Sequence, residues 1–386
     1  MPAIIDFSGL PDTGAGPLGI DVATREFLRG FFRHAGQNQF ACLCPNDKAF
    51  TEFTNFAAEE NIAASRCTAL DRHDATAIEA SGALVRYDPD LVSQAWLRRY
   101  HSQRRYSLIG IAHASASTNA MQAIGDYLAA PLQSWDALIC PSAAIRSAVA
   151  HIIDGWGEYL GARFGADLSC PVQLPVIPLG VDTARMATVT GEAKRQSQRR
   201  ALALSDNEIA ILYVGRLNYV AKANPLALFI AAEETAKRSS RPVRVLLNGY
   251  FNDDVNEDAF MEAANAILDV AKLQIIRHGD EDFPDGVWAA ADIFCSLSDN
   301  IQESFGLTPV EAMAAGLPSI VSDWNGYRES IRDGIDGYCI PTTMAPPGTG
   351  DDIAYRYFTR QNTYGDYLGA QSQSTSVDVG ALGQAL

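Results

Sequence analysis

One rhythm limits what this chain can fold into. Short runs rich in apolar and β-branched residues alternate with segments of helical period nearly from end to end, and the rhythm is played twice. Such alternation is the pattern of parallel sheets covered by helices. The first round opens with Ile4, Ile5 and Phe7 as a strand, followed by a glycine-rich turn from Thr13 to Gly19. A helix follows with Val22, Phe27, Leu28, Phe31 and Phe32 on or near one face. Further strands are expected at 40–44, 83–87, 106–112 and 136–140, and an extended run at 176–182. Pro141-Ser142 ends one of these strands and opens a helix through Ile145 and Val149.

A charged, apolar-poor stretch from Gly191 to Arg200 interrupts the pattern and reads as a linker or an exposed helix. Then the alternation restarts, with strands at 209–214, 243–247, 273–277, 292–296 and 319–322 and helices at 225–237 and 257–270. The reading is two doubly wound, Rossmann-like α/β domains, 1–185 and 186–386, facing a central cleft. At 386 residues the chain has ample length for both.

Composition removes several functions. Thirty basic against 46 acidic residues leave a net charge of −16, a poor basis for gripping nucleic acid, which needs clustered Lys and Arg. A mean hydropathy of −0.04 and the absence of a long apolar run argue against a membrane-spanning helix. The first residues lack the basic and apolar regions of a signal peptide. The seven cysteines are sparse, and only Cys42 and Cys44 lie close together. With no second pair to answer them, a zinc site is a weak reading; reduced thiols in the cytoplasm fit better.

The residues that carry chemistry run from Glu303 to Gly316. Two carboxylates, Glu303 and Glu311, stand eight positions apart. Pro309 suits a first helical turn, Thr308 would be its N-cap, and Gly316 a helix stop. Gly306 lets a ligand approach the backbone closely. The N–H groups and dipole of such a helix start favour an anion such as a phosphate. Carboxylates beside that site suit hydroxyls better than phosphate, as on a ribose or a sugar ring. Cations come from elsewhere: Arg216 at the end of a strand and Lys222 just before the next helix, both able to meet a leaving diphosphate.

Together, Val214-Gly215-Arg216-Leu217, Lys222, the Glu303/Glu311 pair and Phe305-Gly306-Leu307 resemble the retaining GT-B glycosyltransferases of family 4. The stretches Ile177–Asp182, Asp136–Ser142 and Ala314–Pro318 agree. The resemblance covers most of 136–341 and touches 1–135 only through the glycine turn and His113. It implies that Arg216 and Lys222 bind the diphosphate of a nucleotide-sugar, that Glu311 holds the ribose and that Glu303 holds a donor-sugar hydroxyl. Ser304, Phe305, Gly306 and Leu307 would meet the donor through their loop. Gly16 and Gly19 would belong to a loop closing on the donor phosphate, and His113 would contact the sugar. Retention would follow a front-face path with no protein nucleophile, no DxD motif and no required metal or cofactor. The resemblance departs where Ala223 follows Lys222 in place of a glycine. It also implies C-terminal helices that return to the first domain, where this chain ends at Leu386.

Other readings stand beside this one. The same fold could hold a nucleotide-sugar without efficient transfer, as a scaffold or sensor. Gly14–Gly19 spells a lone G-x-G-x-x-G, weak by itself as evidence for an NAD(P) oxidoreductase. No pyridoxal-phosphate lysine context supports a phosphorylase. Asp323–Tyr327 is either a donor contact or a turn. Tyr355, Tyr357, Phe358, Tyr364 and Tyr367 either line an acceptor surface or pack a terminal helix pair. Arg98, Arg99, Arg104 and Arg105, around Trp96 and Tyr100, form a candidate basic patch for peripheral membrane contact, or a solvated helix face. The nucleotide, sugar, acceptor and oligomeric state are not legible.

Overall fold

Along each expected strand, neighbouring side chains enter different cores. A computed structural model describes residues 3–9, 19–71, 75–277 and 286–386. They separate after Gly180 into two compact units. The first unit runs β1 (Ala3–Asp6), α1 (Gly19–His34), β2 (Phe40–Leu43), α2 (Asp47–Glu59), β3 (Cys67–Leu70), α3 (Ala75–Ser81), β4 (Ala83–Val85), α4 (Val92–His101), β5 (Ser107–Ile111), α5 (Thr118–Gly125), β6 (Ala137–Ile139) and α6 (Ala143–Phe164). Its six strands are all parallel, in the order β3-β2-β1-β4-β5-β6. Ile4, Leu43 and Leu84 join the apolar layer on one face of the sheet, and Ile5, Cys42 and Val85 that on the other. A strand covered by helices on both sides must be apolar at successive positions, which is why these runs show no polar alternation.

The second unit runs α7 (Thr183–Val189), α8 (Glu192–Ala201), β7 (Ile209–Val214), α9 (Leu226–Arg238), β8 (Val243–Gly249), α10 (Asp254–Ile267), β9 (Lys272–Arg277), α11 (Val287–Ala290), β10 (Ile293–Ser296), α12 (Leu307–Ala314), β11 (Ser319–Ser322), α13 (Tyr327–Ser330), β12 (Gly337–Ile340), β13 (Thr342–Met344), α14 (Asp351–Phe358), α15 (Tyr364–Gln373), β14 (Thr375–Val377) and α16 (Val379–Ala385). Its main sheet reads β9-β8-β7-β10-β11-β12, the same 3-2-1-4-5-6 order in parallel strands. Both units are therefore doubly wound, Rossmann-like α/β folds. In each, the strand order reverses beside the first strand, between β1 and β4 and between β7 and β10. Ligands of such sheets bind at the C-terminal ends of those strands.

The same polar device anchors each sheet. Asp136, just before β6, accepts from both terminal nitrogens of Arg98 at 2.6 and 2.7 Å and from the Leu108 and Gln133 amides at 2.8 Å each. Both side chains are fully buried. Asp292, just before β10, takes Arg195 at 2.6 Å, Arg199 at 3.2 Å and the Ala210 amide at 2.8 Å. These pairs correct two expectations. Arg98 does not belong to a surface patch, and Arg105 pairs with Glu79 at 3.3 Å, which leaves Arg99, stacked over Trp96, and the exposed Arg104. The charged stretch 191–200 is a helix, not a linker: α8 exposes Glu192, Ala193, Gln196, Ser197 and Arg200 on one face and ties the other to Asp292 through Arg195 and Arg199. The run 176–182 bridges Cys140 through Val176 and ends where Asp182 caps α7.

At the end of the second unit, Tyr357 stacks on Tyr367 at 4.8 Å and meets Tyr364 at 5.7 Å, so these tyrosines pack α14 against α15. Leu382 of α16 is buried in the core that α9 lines.

Candidate functional site

The second unit brings the expected cation and carboxylate together at its switch point. β7 ends at Val214, and the loop beyond it carries Arg216 and Lys222; β10 ends at Ser296, and the loop beyond it carries Glu303. Lys222 Nζ lies 3.0 Å from Glu303 Oε2, with the carboxylate mostly buried. Tyr213 donates from its phenol to the Arg216 carbonyl at 3.1 Å, and Arg216 Nε is buried without a hydrogen-bond partner.

Helix α12 starts two residues earlier than the sequence suggested. Its N-cap is Gly306, at φ 86° and ψ 96°, not Thr308. Only glycine takes that backbone easily, and it turns the chain into the helix before Thr308 is reached. Pro309 is thus the third helical residue, still within the turn whose N–H groups have no partner inside the helix. Glu311 is the fifth helical residue and half-buried. Leu307 opens the helix, and Gly316 at φ 79° follows its C-cap. Phe305 is buried, and its backbone presses so closely on Gly326 that a Cβ there would sit 2.4 Å from Phe305 Cα. Ser304 precedes it in the same loop, half-buried.

Two phenols flank this loop: Tyr327, the last residue of the Asp323–Tyr327 stretch that the sequence offers as a donor contact or a turn, and Tyr213, which the sequence places only in a strand. The Tyr327 ring lies under Gly306, and its hydroxyl pairs with Ser296 Oγ at 3.0 Å. Burial first, and the Glu303 charge second, push the Tyr327 and Tyr213 phenols well above their usual range, so both stay protonated. Asp299, which the sequence reading missed, is buried, and burial raises its carboxyl to about 6. A polar run continuing a fully buried strand past its C-terminal end was the available signal.

An acid whose folded-state pKa stands above its ordinary value binds its proton more tightly when folded. Its contribution to stability is present at low pH and is lost as pH rises from about 4 to about 6. Asp299→Asn is therefore expected to raise the melting temperature at pH 7.5, by up to ~3 kcal/mol in stability, and to change little at pH 4. Equal shifts at both pH values would remove the charge as the cause.

The remaining expected site residues lie in the first unit. His113 follows β5 by two positions, hydrogen-bonds the Tyr87 backbone and keeps Nε2 buried without a partner. Burial lowers its pKa to about 4, so the ring is neutral near pH 7. Gly19 is the exposed first residue of α1, and Gly16 lies outside the described residues. Cys42 and Cys44 approach to 3.1 Å between sulfurs, but among the described residues no three His, Cys, Asp or Glu side chains group as a metal site. Among them, too, no helix is long and apolar enough to cross a membrane.

Two Rossmann-like units of this order, the second with a cation, a carboxylate and a helix start at its switch point, define a GT-B chain. Residues 194–347, the segment that holds Arg216, Lys222, Glu303 and Glu311, match the sequence model of the glycosyl transferases group 1. D-inositol 3-phosphate glycosyltransferases are similar: that of Rhodococcus erythropolis is 29% identical over 46% of this chain, and that of Geodermatophilus obscurus 30% over 46%. Each alignment spans 38% of the relative's length. Anabaena Alr3699/HepE, crystallised with UDP and glucose, superposes with a TM-score of 0.56 at 16% identity, covering 100% of this chain and 98% of its own. Sucrose-phosphate synthase from Thermosynechococcus elongatus gives 0.53 at 15%, covering 100% and 95%. At such identities the likeness is one of fold.

Proposed function

We propose that this protein is a retaining glycosyltransferase that moves a sugar from a nucleoside-diphosphate sugar, with UDP the first nucleotide to test, to a glycan, lipid or small-molecule acceptor. The observation that carries the reading is the Lys222–Glu303 contact at the β7/β10 switch point, beside the Gly306-capped start of α12. UDP in the Anabaena neighbour supports the choice of nucleotide.

In this reading Arg216, Lys222 and the first amides of α12 stabilise the charge that gathers on the diphosphate as the glycosidic bond loosens. Glu303 accepts from a donor-sugar hydroxyl and Glu311 from the ribose. The leaving phosphate oxygen takes the acceptor's proton, so the path calls for no protein nucleophile and no metal or other cofactor. Neutral His113 suits a hydrogen bond to the sugar. The exposed Trp96, Arg99, Tyr100 and Arg104 mark where a membrane carrying the acceptor would be met, on the cytoplasmic side.

UDP, GDP, ADP and their sugar conjugates, with NAD(H) as control, form the binding panel, read by thermal shift. One nucleoside diphosphate is expected to stabilise the protein, by ~2.7 kcal/mol at a hundredfold excess over its dissociation constant. Arg216→Ala and Lys222→Ala are each expected to weaken that binding by ~1.5–3 kcal/mol, the worth of a charge-assisted contact. Unchanged affinity in both variants would end the diphosphate assignment. Binding without turnover would favour a scaffold or sensor.

A further inference from the structure

The loop that carries Lys222 is held by a polar segment that lies on the other side of the switch point. Asn218 first folds the loop on itself, accepting from the Val220 and Ala221 amides at 3.0 and 2.7 Å, while its carbonyl takes the Lys222 amide at 3.0 Å. The segment 298–302, which follows β10, then grips this turn from outside. Asn300 donates to the Val220 carbonyl at 2.7 Å, Gln302 to the Ala221 carbonyl and Ser298 to the Lys222 carbonyl at 3.4 Å. Asp299 accepts from the Asn224 amide at 3.0 Å. Four side chains thus hold the backbone at 220, 221, 222 and 224.

The grip is itself braced. Ser322 donates to the Ser298 carbonyl at 2.6 Å and Trp324 Nε1 to the Asn300 carbonyl at 3.0 Å. From α15, the Ser372 side chain bonds Asp299, and Tyr364 reaches Gln302 at 3.5 Å. Ser298, Asp299 and Asn300 are at most 5% exposed. Buried polar groups are costly unless paired, and apolar packing would serve stability alone better. Asp299 keeps one carboxylate oxygen buried without a partner.

We infer that residues 298–302 are a positioning clamp that sets Lys222 against its anion, joining the loops after β7 and β10 into one body. Glu303 is the next residue along, so the clamp also fixes the spacing between the cation and the carboxylate. The inference rests on the nucleotide-sugar reading of the site. Asp299, Asn300 and Gln302 touch no ligand in it; they act through the Lys222 loop.

The test is a double-mutant cycle on UDP affinity, with amide hydrogen exchange over residues 219–225. Gln302→Ala and Asp299→Ala are each expected to weaken UDP binding about tenfold in the otherwise native protein. Neither should weaken it further in a Lys222→Ala background. Asp299→Asn, which retains an acceptor for the Asn224 amide, should restore most of the affinity, and exchange at 219–225 should speed up only in the alanine variants. Equal losses in both backgrounds, or no loss of affinity with faster exchange, would overturn the positioning role. If Lys222→Ala leaves UDP affinity unchanged while Arg216→Ala lowers it, the clamp positions nothing and the inference is overturned; if both variants leave it unchanged, the nucleotide reading has failed. The clamp then stands or falls on exchange: faster at Asn224 in Asp299→Ala than in Asp299→Asn supports it, and no difference overturns it.

Discussion

Asp136→Ala is expected to destabilise the first unit by about 3–5 kcal/mol, the usual cost of stripping one partner from a buried ion pair. The carboxylate accepts four hydrogen bonds, two from Arg98 and two from the Leu108 and Gln133 amides. Its loss leaves a guanidinium with no exposed surface and only carbonyl partners, at Tyr106 and Pro131. Whole domains have only about 5–15 kcal/mol to lose, so the variant should stand near the limit of folding. The check is urea unfolding of the variant beside the double variant Asp136→Leu with Arg98→Met. The double variant should recover part of the loss, because no charge is stranded. A loss below about 1 kcal/mol in Asp136→Ala would mean that water reaches Arg98.

Gly306→Ala carries the second large effect, and it falls on the site as well as the fold. A Cβ at this position would stand 2.0 Å from Tyr327 Cε1, inside any real contact, on a backbone at φ 86°. Tyr327 cannot retreat freely, because it is buried and its hydroxyl is tied to Ser296. Positive φ alone costs an alanine roughly 1–2 kcal/mol, and forced displacement of a buried ring adds ~1–3 kcal/mol. The start of α12 should shift with it, lowering affinity for a nucleoside diphosphate at least about tenfold. Gly155→Ala in α6 is the control: an added Cβ meets nothing within 4 Å, and alanine should be neutral or stabilise by ~0.5–1 kcal/mol. If the two alanine variants melt and bind alike, Gly306 has no steric role.

Most strands that the sequence disclosed are buried on both faces, because continuous apolar runs bounded by turns leave few alternatives; the edge strand β9 was legible as well, through Leu273, Ile275 and Ile276. β3 was missed for the opposite reason: it is a four-residue edge strand with Thr68 and Ala69 exposed, too short to show a period. The tertiary roles of the arginines were hidden as well. Arg98 and Arg199 look like surface charges in any local window, and only the carboxylates 38 and 93 residues on explain their burial. At the site, Glu303, Lys222, Arg216 and Gly306 were legible because each sits in a motif with its own spacing. The meeting of Lys222 with Glu303 spans 81 residues and is a property of strand order, which no spacing encodes. The segment 298–302 showed only as a polar run past a buried strand; its grip on the Lys222 loop is made to backbone atoms, which leave no trace in side-chain identity. The helix start was misplaced by two residues because a hydroxyl cap is conspicuous in a sequence and a glycine's dihedral angle is not.

Under the proposed function, the Lys222–Glu303 contact makes the site behave as a conjunction. A bare anion that draws Lys222 away leaves a mostly buried carboxylate without its cation, and a bare sugar that occupies Glu303 leaves the ammonium without its anion. Either half therefore binds against a penalty. A molecule that offers a phosphate and a hydroxyl at the right separation satisfies both residues in one event and escapes it. Discrimination of this kind needs no extra contact with the whole ligand; it is achieved by making the fragments poor competitors.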